Sequence, residues 1–96
     1  MQIKDAATSL AQAVAQLGHN MRTENYEDVH KVNEFAQEMH LLTTALVEKG
    51  KNALANSLYK YTEAMLKAYG ERNAITLADV LEYEVLHELE KILQEQ

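Results

Sequence analysis

The sequence contains no cysteine and no proline, and its 96 residues include only three glycines and one phenylalanine. Without cysteine the chain has neither disulfides nor thiolate metal ligands. Without proline, and with glycine only at Gly18, Gly50 and Gly70, little interrupts the hydrogen-bond ladder of a helix. The composition therefore favours helix along the whole chain.

Long hydrophobic runs are also absent. No apolar stretch approaches the roughly 20 residues that a membrane-spanning helix needs. Residues 1–5 lack the basic start and apolar centre of a signal peptide. We therefore expect a cytoplasmic protein with no membrane partner. A hydrophobic content of 47% can supply one modest core, so residues 1–96 are predicted to form a single helical domain.

Positive charge is scarce, and the net charge is −6. Residues 77–96 hold six acids against Lys91 alone. Because such a surface repels a phosphate backbone, a nucleic-acid partner is not expected. The acids are predicted to lie near Lys60 and Lys67 of a neighbouring helix, in exposed pairs that each contribute only ~0–1 kcal/mol.

Apolar residues recur at helical spacing in four stretches. The predicted helices cover about 2–17, 26–48 and 52–69, and a fourth begins near Thr76. Gly18, Gly50 and Gly70 are predicted to end the first three. The short loops make consecutive helices antiparallel. The predicted fold is all-α, an up-down-up-down four-helix bundle built from two helical hairpins.

Two similar signatures are predicted to start helices 2 and 4. Asn25 and Thr76 are each followed three residues later by an acid, Asp28 or Asp79. This is the spacing of a capping box, in which two side chains satisfy the free amides of the first turn. Flanking apolar residues at the second start are predicted to form a hydrophobic staple; they are Ile75 and Val80.

Residues 77–85 have the sequence Leu-Ala-Asp-Val-Leu-Glu-Tyr-Glu-Val. This segment resembles the L-A-D-hydrophobic-L-E-Y-E-hydrophobic pattern of small, uncharacterised four-helix proteins encoded in flagellar and motility gene neighbourhoods of Gram-positive bacteria. Leu17-Gly18-His19 and the acidic opening of helix 2 agree with it more loosely. The resemblance implies a cytoplasmic helical protein without known catalysis that acts as an accessory or chaperone-like partner.

Two Glu-x-x-His motifs are the sharpest chemical candidates, since di-iron four-helix bundles use a pair of them. At roughly 100° per residue, however, both histidines point away from the apolar faces of their helices. We therefore expect these side chains on solvated surface and predict no cofactor. A metal or small ligand bound through these pairs is the alternative function. The four residues are Glu27, His30, Glu84 and His87.

Nothing in the sequence predicts catalysis. Ser9 and Ser57 have no adjacent histidine–acid arrangement, and no glycine-rich phosphate loop is present. We predict no catalytic residue and no enzyme activity.

Helices 3 and 4 carry apolar side chains beyond a single core line. A helix wedged between two neighbours needs a broad apolar face, and the same residues can equally form an interaction surface. The prediction is a non-catalytic interaction module, an adaptor or chaperone-like accessory protein that binds a protein partner or a second copy of itself. The predicted partner-binding residues are Tyr59, Leu66, Glu82, Tyr83, Leu86 and Leu93.

Overall fold

The chain folds into four helices in the computed structural model, which describes residues 2–95. Helix α1 is Ile3–Arg22, α2 is Val32–Glu48 and α3 is Asn52–Gly70. Helix α4 runs through three consecutive segments, Ala74–Asp79, Val80–Val85 and Leu86–Gln94, of which the middle one is π-helical. The predicted all-α four-helix bundle is confirmed.

The core is a row of apolar side chains from each helix. In α1 the buried residues alternate spacings of four and three, which keeps one stripe facing its neighbours. Helix α1 packs against α2 and α4, and α3 packs against the same two. Each helix therefore lies between two others. The bulkiest fully buried apolar side chains are Leu10, Val14, Val32, Met39, Leu42, Leu46, Leu58, Met65, Leu81, Leu89 and Ile92.

The prediction that Gly18 ends the first helix is wrong. Gly18 is buried inside α1, which continues for another turn to Arg22. A Cβ placed on Gly18 would lie 2.7 Å from Cγ of Glu82, which is closer than two such atoms can approach. Gly18 therefore allows a side chain of α4 to approach α1 closely, and it does not end a helix.

The second helix begins later than predicted. Asn25 Oδ1 accepts a hydrogen bond from the amide of Glu27, two residues on, which closes a local turn and does not cap α2. A short 3₁₀ turn, Val29–Lys31, then leads into α2 at Val32. The capping box predicted for Asn25 and Asp28 is not formed.

The fourth helix begins earlier than predicted. Asn73 is its N-cap, and Asn73 Oδ1 accepts a hydrogen bond of 3.1 Å from the amide of Thr76. Thr76 is thus inside the helix and is not its cap. Ile75 is 74% exposed and forms no staple with Val80. The early start adds a turn that places Leu77 in the core.

The first three helices end in the same way, with one residue in the left-handed region. These residues are Glu24 (φ 63°), Gly50 (φ 77°) and Arg72 (φ 56°). Each closes the bond pattern of a Schellman motif, which favours glycine at this position. Gly50 therefore follows the end of α2 as predicted. Helix α3 also ends at Gly70 as predicted, but its left-handed residue is Arg72, two positions later. The characteristic i+5 amide-to-carbonyl bonds join Asn25 to Asn20, Lys51 to Leu46 and Asn73 to Ala68.

Replacing Glu24 by glycine should stabilise the fold. A side chain in the left-handed conformation costs roughly 1–2 kcal/mol, and glycine removes most of that strain. Glycine also raises the conformational entropy of the unfolded chain, which offsets part of this gain. We expect Glu24→Gly to raise the free energy of unfolding by about 0.5–1 kcal/mol in urea denaturation. Gly50→Ala is the reverse control and should lower it by a similar amount. Equal midpoints for the three proteins would contradict this account.

One acidic side chain of α4 is buried, although exposed ion pairs were predicted for the acids of this helix. The side chain of Glu88 is 2% exposed, and its Oε2 lies 3.5 Å from Nζ of Lys91. Its other oxygen, Oε1, has no hydrogen-bond partner among the described residues. A buried carboxylate that is only half satisfied opposes folding.

Glu88→Leu should therefore make the protein more stable. Glu88 occupies a buried position, and leucine there removes the desolvation cost of an unsatisfied oxygen. We expect a gain of about 1–3 kcal/mol in the free energy of unfolding, measured by chemical denaturation. Glu88→Gln is the control, since it keeps the shape and leaves polar atoms buried, and it should gain less. A destabilised leucine variant would show that the carboxylate makes a favourable contact of its own.

Candidate functional site

A charged cluster joins the end of α1 to the middle of α4. Arg22 lies in the last turn of α1, and its Nη2 donates a hydrogen bond of 2.6 Å to Oδ1 of Asp79. Its Nε lies 3.4 Å from Oε1 of Glu82. The guanidinium carbon is 5.7 Å from the centre of the Tyr83 ring, within cation–π range. These three α4 residues stand at positions i, i+3 and i+4, so they share one face.

The hydrogen bond to Asp79, together with the negative charges of Glu82 and Asp79, raises the pKa of Arg22. Arginine is protonated throughout the physiological range, so Arg22 carries a fixed positive charge. The cluster therefore suits electrostatic positioning and recognition. It offers no general acid or base through Arg22.

Glu82 reaches α1 because Gly18 leaves room for it. Glu82 is one of the predicted partner-binding residues. Its carboxylate contacts Arg22 of α1, while its Cγ lies over Gly18. Glu82 is one quarter exposed, so one side of it also remains accessible.

The cluster lies on the π-helical segment of α4. In this segment the amide of Leu86 donates to the carbonyl of Leu81, five residues earlier. The wider turn changes the register between the two halves of α4 and contains both Glu82 and Tyr83. Because π-helical insertions are frequent at functional sites, this segment is a candidate functional site.

The structure places the predicted interaction residues on two different sides of the bundle. Leu86 and Leu93 continue the Tyr83 side of α4 at helical spacing, and Tyr83 contacts α1. Tyr59 and Leu66 are seven residues apart on α3, and the Tyr59 ring stacks on His40 of α2 with centroids 6.3 Å apart. The two sets therefore do not line one groove between α3 and α4.

The predicted interaction residues also differ in how far their side chains are exposed. Tyr59 is 53% exposed and Tyr83 is 68% exposed. The three leucines, at positions 66, 86 and 93, are partly buried and pack against the core. A partner could contact the tyrosines freely but would reach only the outer edges of the leucines.

The two Glu-x-x-His pairs do not come together. Glu27, His30 and His87 are exposed, and Glu84 is half-buried. Glu27 lies in the loop before α2 and not on a helix. Within residues 2–95, no three histidine or acidic side chains form a group that could hold a metal ion.

A cleft of about 520 Å³ opens at the end of the bundle where α3 meets α4. Its inner wall is apolar, and tyrosine, arginine and asparagine lie nearer the mouth. The lining residues are Met21, Tyr26, Val29, Ala68, Tyr69, Gly70, Arg72, Asn73, Ala74 and Leu77. A smaller groove of about 190 Å³ shares Met21, Tyr26 and Ala74 with it and extends to Arg22, Glu24, Ile75 and Ala78.

The sequence prediction missed Arg22 and the cleft for one reason. Reading Gly18 as a helix end placed residues 19–25 in a loop, so Arg22 had no helix partner. The alternating spacing Val14, Leu17, Met21 continues the apolar stripe past the glycine and could have extended α1.

Comparison with protein-family models, curated proteins and solved structures finds no significant match to this chain. Among the described helices, none combines the length and the apolar character needed to cross a membrane.

The contact between Gly18 and Glu82 can be tested with a double-mutant cycle. Gly18→Ala in the wild type should destabilise the protein, because the new methyl group displaces Glu82 from its place over α1. In a Glu82→Ala background the same change should stabilise it by about 1 kcal/mol, the helix preference of alanine over glycine. Urea denaturation of the four proteins gives the coupling energy. Equal effects of Gly18→Ala in both backgrounds would show that the two residues do not interact.

Proposed function

We propose that this protein is a non-catalytic interaction module that binds an amphipathic helix of a partner protein. The binding surface is the outer side of α4 that neighbours α1. The observation that supports this proposal best is Tyr83, which is 68% exposed yet held beside Arg22. A large aromatic ring that is both accessible and restrained is suited to anchoring a partner.

The chemistry of this surface supports the same proposal. Tyrosine and arginine are enriched among the residues that dominate binding energy at protein interfaces. Because Arg22 is fixed by Asp79 and Glu82, the side chains lose less conformational entropy on binding than free ones would. Leu86 and Leu93 add partly exposed apolar edges along the same side.

The charge of α4 indicates the character of the partner. Residues 77–96 hold six acids and one lysine. Asp79 and Glu90 lie at accessible positions of the helix. Charge complementarity therefore favours a partner helix with an apolar stripe flanked by lysine or arginine. Together with the resemblance of residues 77–85 to the motility-neighbourhood proteins, this leads us to propose an adaptor or chaperone-like role in the cytoplasm.

Substituting Tyr83 and Tyr59, the two most exposed of the described tyrosines, tests which side of the bundle binds the partner. The immobilised protein is used to capture partners from the source cell, and the affinity for an isolated partner is measured by calorimetry. Tyr83→Ser should weaken binding by about tenfold or more. Tyr59→Ser is the matched control on the α2 side and should change the affinity less than threefold, a small effect of roughly 0.6 kcal/mol.

Both variants should keep their helical circular dichroism, because neither ring belongs to the core. Sedimentation velocity of the same proteins tests whether the partner is a second copy. Loss of binding in Tyr59→Ser alone would assign the interface to the α2–α3 side. No captured partner and a monomer at all concentrations would overturn the proposal.

A further inference from the structure

The cleft between the ends of α3 and α4 has the dimensions of a small-molecule site. Its volume of about 520 Å³ lies within the range of ligand pockets, roughly 300–1,000 Å³. Met21, Ala68 and Leu77 form a buried apolar floor. Tyr26 and Tyr69 provide two aromatic rings nearer the solvent. Such a cavity suits a ligand with an apolar body.

Among residues 2–95, Arg72 is the one charged residue that lines this cleft. Within residues 2–95, no acidic side chain pairs with its guanidinium, in contrast to Arg22, which contacts two acids. The chain has 15 acids and nine arginines and lysines, so an unpaired arginine at a cleft is notable. A guanidinium in this position is suited to binding a carboxylate or phosphate through two parallel hydrogen bonds.

The backbone at Arg72 strengthens this interpretation. Arg72 occupies the left-handed position that ends α3, where glycine would fit without strain. Strained residues with chemically active side chains are concentrated at ligand sites. Glu24 ends α1 in the same conformation but lines only the smaller neighbouring groove. The two residues therefore share a backbone role and differ in their position relative to the cleft.

We propose that the cleft binds a small amphipathic anion, with its apolar chain between Tyr26 and Tyr69 and its acidic head on Arg72. Within the described part of the chain, Arg72 is the only basic residue of the cleft lining, and the apolar floor favours a ligand with an apolar body. This site is separate from the α4 surface of the proposed function, and the ligand proposal does not depend on partner binding.

Three ten-carbon probes separate the contributions of body and head group. Decanoate, decyl phosphate and decanol are titrated below their micelle-forming concentrations, and binding is followed by calorimetry and by the tyrosine fluorescence of this tryptophan-free chain. We expect both anions to bind more tightly than decanol, by about tenfold. The tighter anion identifies the head group. Equal affinity for decanol and both anions would overturn the proposal.

Two glycine substitutions provide a matched pair. Arg72→Gly should raise the melting temperature, because it relieves the left-handed strain, and it should reduce anion affinity to that of decanol. Glu24→Gly should also raise the melting temperature but should leave the affinity unchanged. Since Arg72→Gly is expected to be more stable than the wild type, loss of binding could not result from unfolding. Unchanged anion binding in Arg72→Gly would exclude this arginine as the recognition residue.

The position of the ligand is tested by filling the cleft. Ala74 lines it at the first helical residue of α4, and Ala74→Leu should weaken decanol and both anions alike. Tyr83→Ser should leave all three affinities unchanged, which separates this site from the partner surface. Full binding by Ala74→Leu would show that the probes bind elsewhere.

Discussion

The close approach of α4 to α1 is the contact on which the functional surfaces of this bundle depend. Gly18 has no side chain, so Glu82 can lie against the α1 backbone and reach Arg22. That contact lies within the packing of α4 on α1, and it places Glu82 and Tyr83 around the same arginine. An alanine at position 18 would suit the isolated helix better, but it would obstruct the contact between the helices. The sequence favours the tertiary interaction over the local preference.

The helix ends show the same conflict between local preference and other demands. Only one of the three left-handed positions is occupied by glycine, although any side chain there is strained. Glu24 and Arg72 are tolerated because each end is closed by two backbone hydrogen bonds and because the core supplies the stability that the turns lose. The strained position of Arg72 places this residue at the cleft, whereas no contact within the described residues explains why a glutamate occupies position 24. Helix ends of this kind can hold functional side chains because the backbone is held firmly even where it is strained.

Sequence reasoning predicted the four helices because their apolar spacing is a local and repetitive signal. It failed where two local signals competed. Asn73 and Thr76 are both good caps, and the earlier one is used because it adds a turn that buries Leu77. Gly18 is a plausible helix end by composition, and only the distant Glu82 explains why it lies inside α1. Glu88 lies on the buried stripe of α4, three residues after Val85 and four before Ile92, so its spacing predicts burial although its residue type does not. The exposed Tyr59 and Tyr83 were found from their wheel positions, but their assignment to opposite sides required the contacts with His40 and Arg22.

The partner surface and the cleft are separate sites, yet the smaller groove lies between them. It is lined by Met21 and Tyr26 of the cleft and by Arg22 of the charged cluster. A ligand that orders Tyr26 and Met21 would therefore act one residue away from the arginine that holds Tyr83. If the ligand changes the orientation of Arg22, affinity for the partner must change, and the partner must alter ligand affinity by the same factor. If Arg22 is too firmly held by Asp79 and Glu82 to respond, the two sites are thermodynamically independent. The hydrogen bond of 2.6 Å to Asp79 favours independence, because it restrains the guanidinium of Arg22, which does not line the cleft.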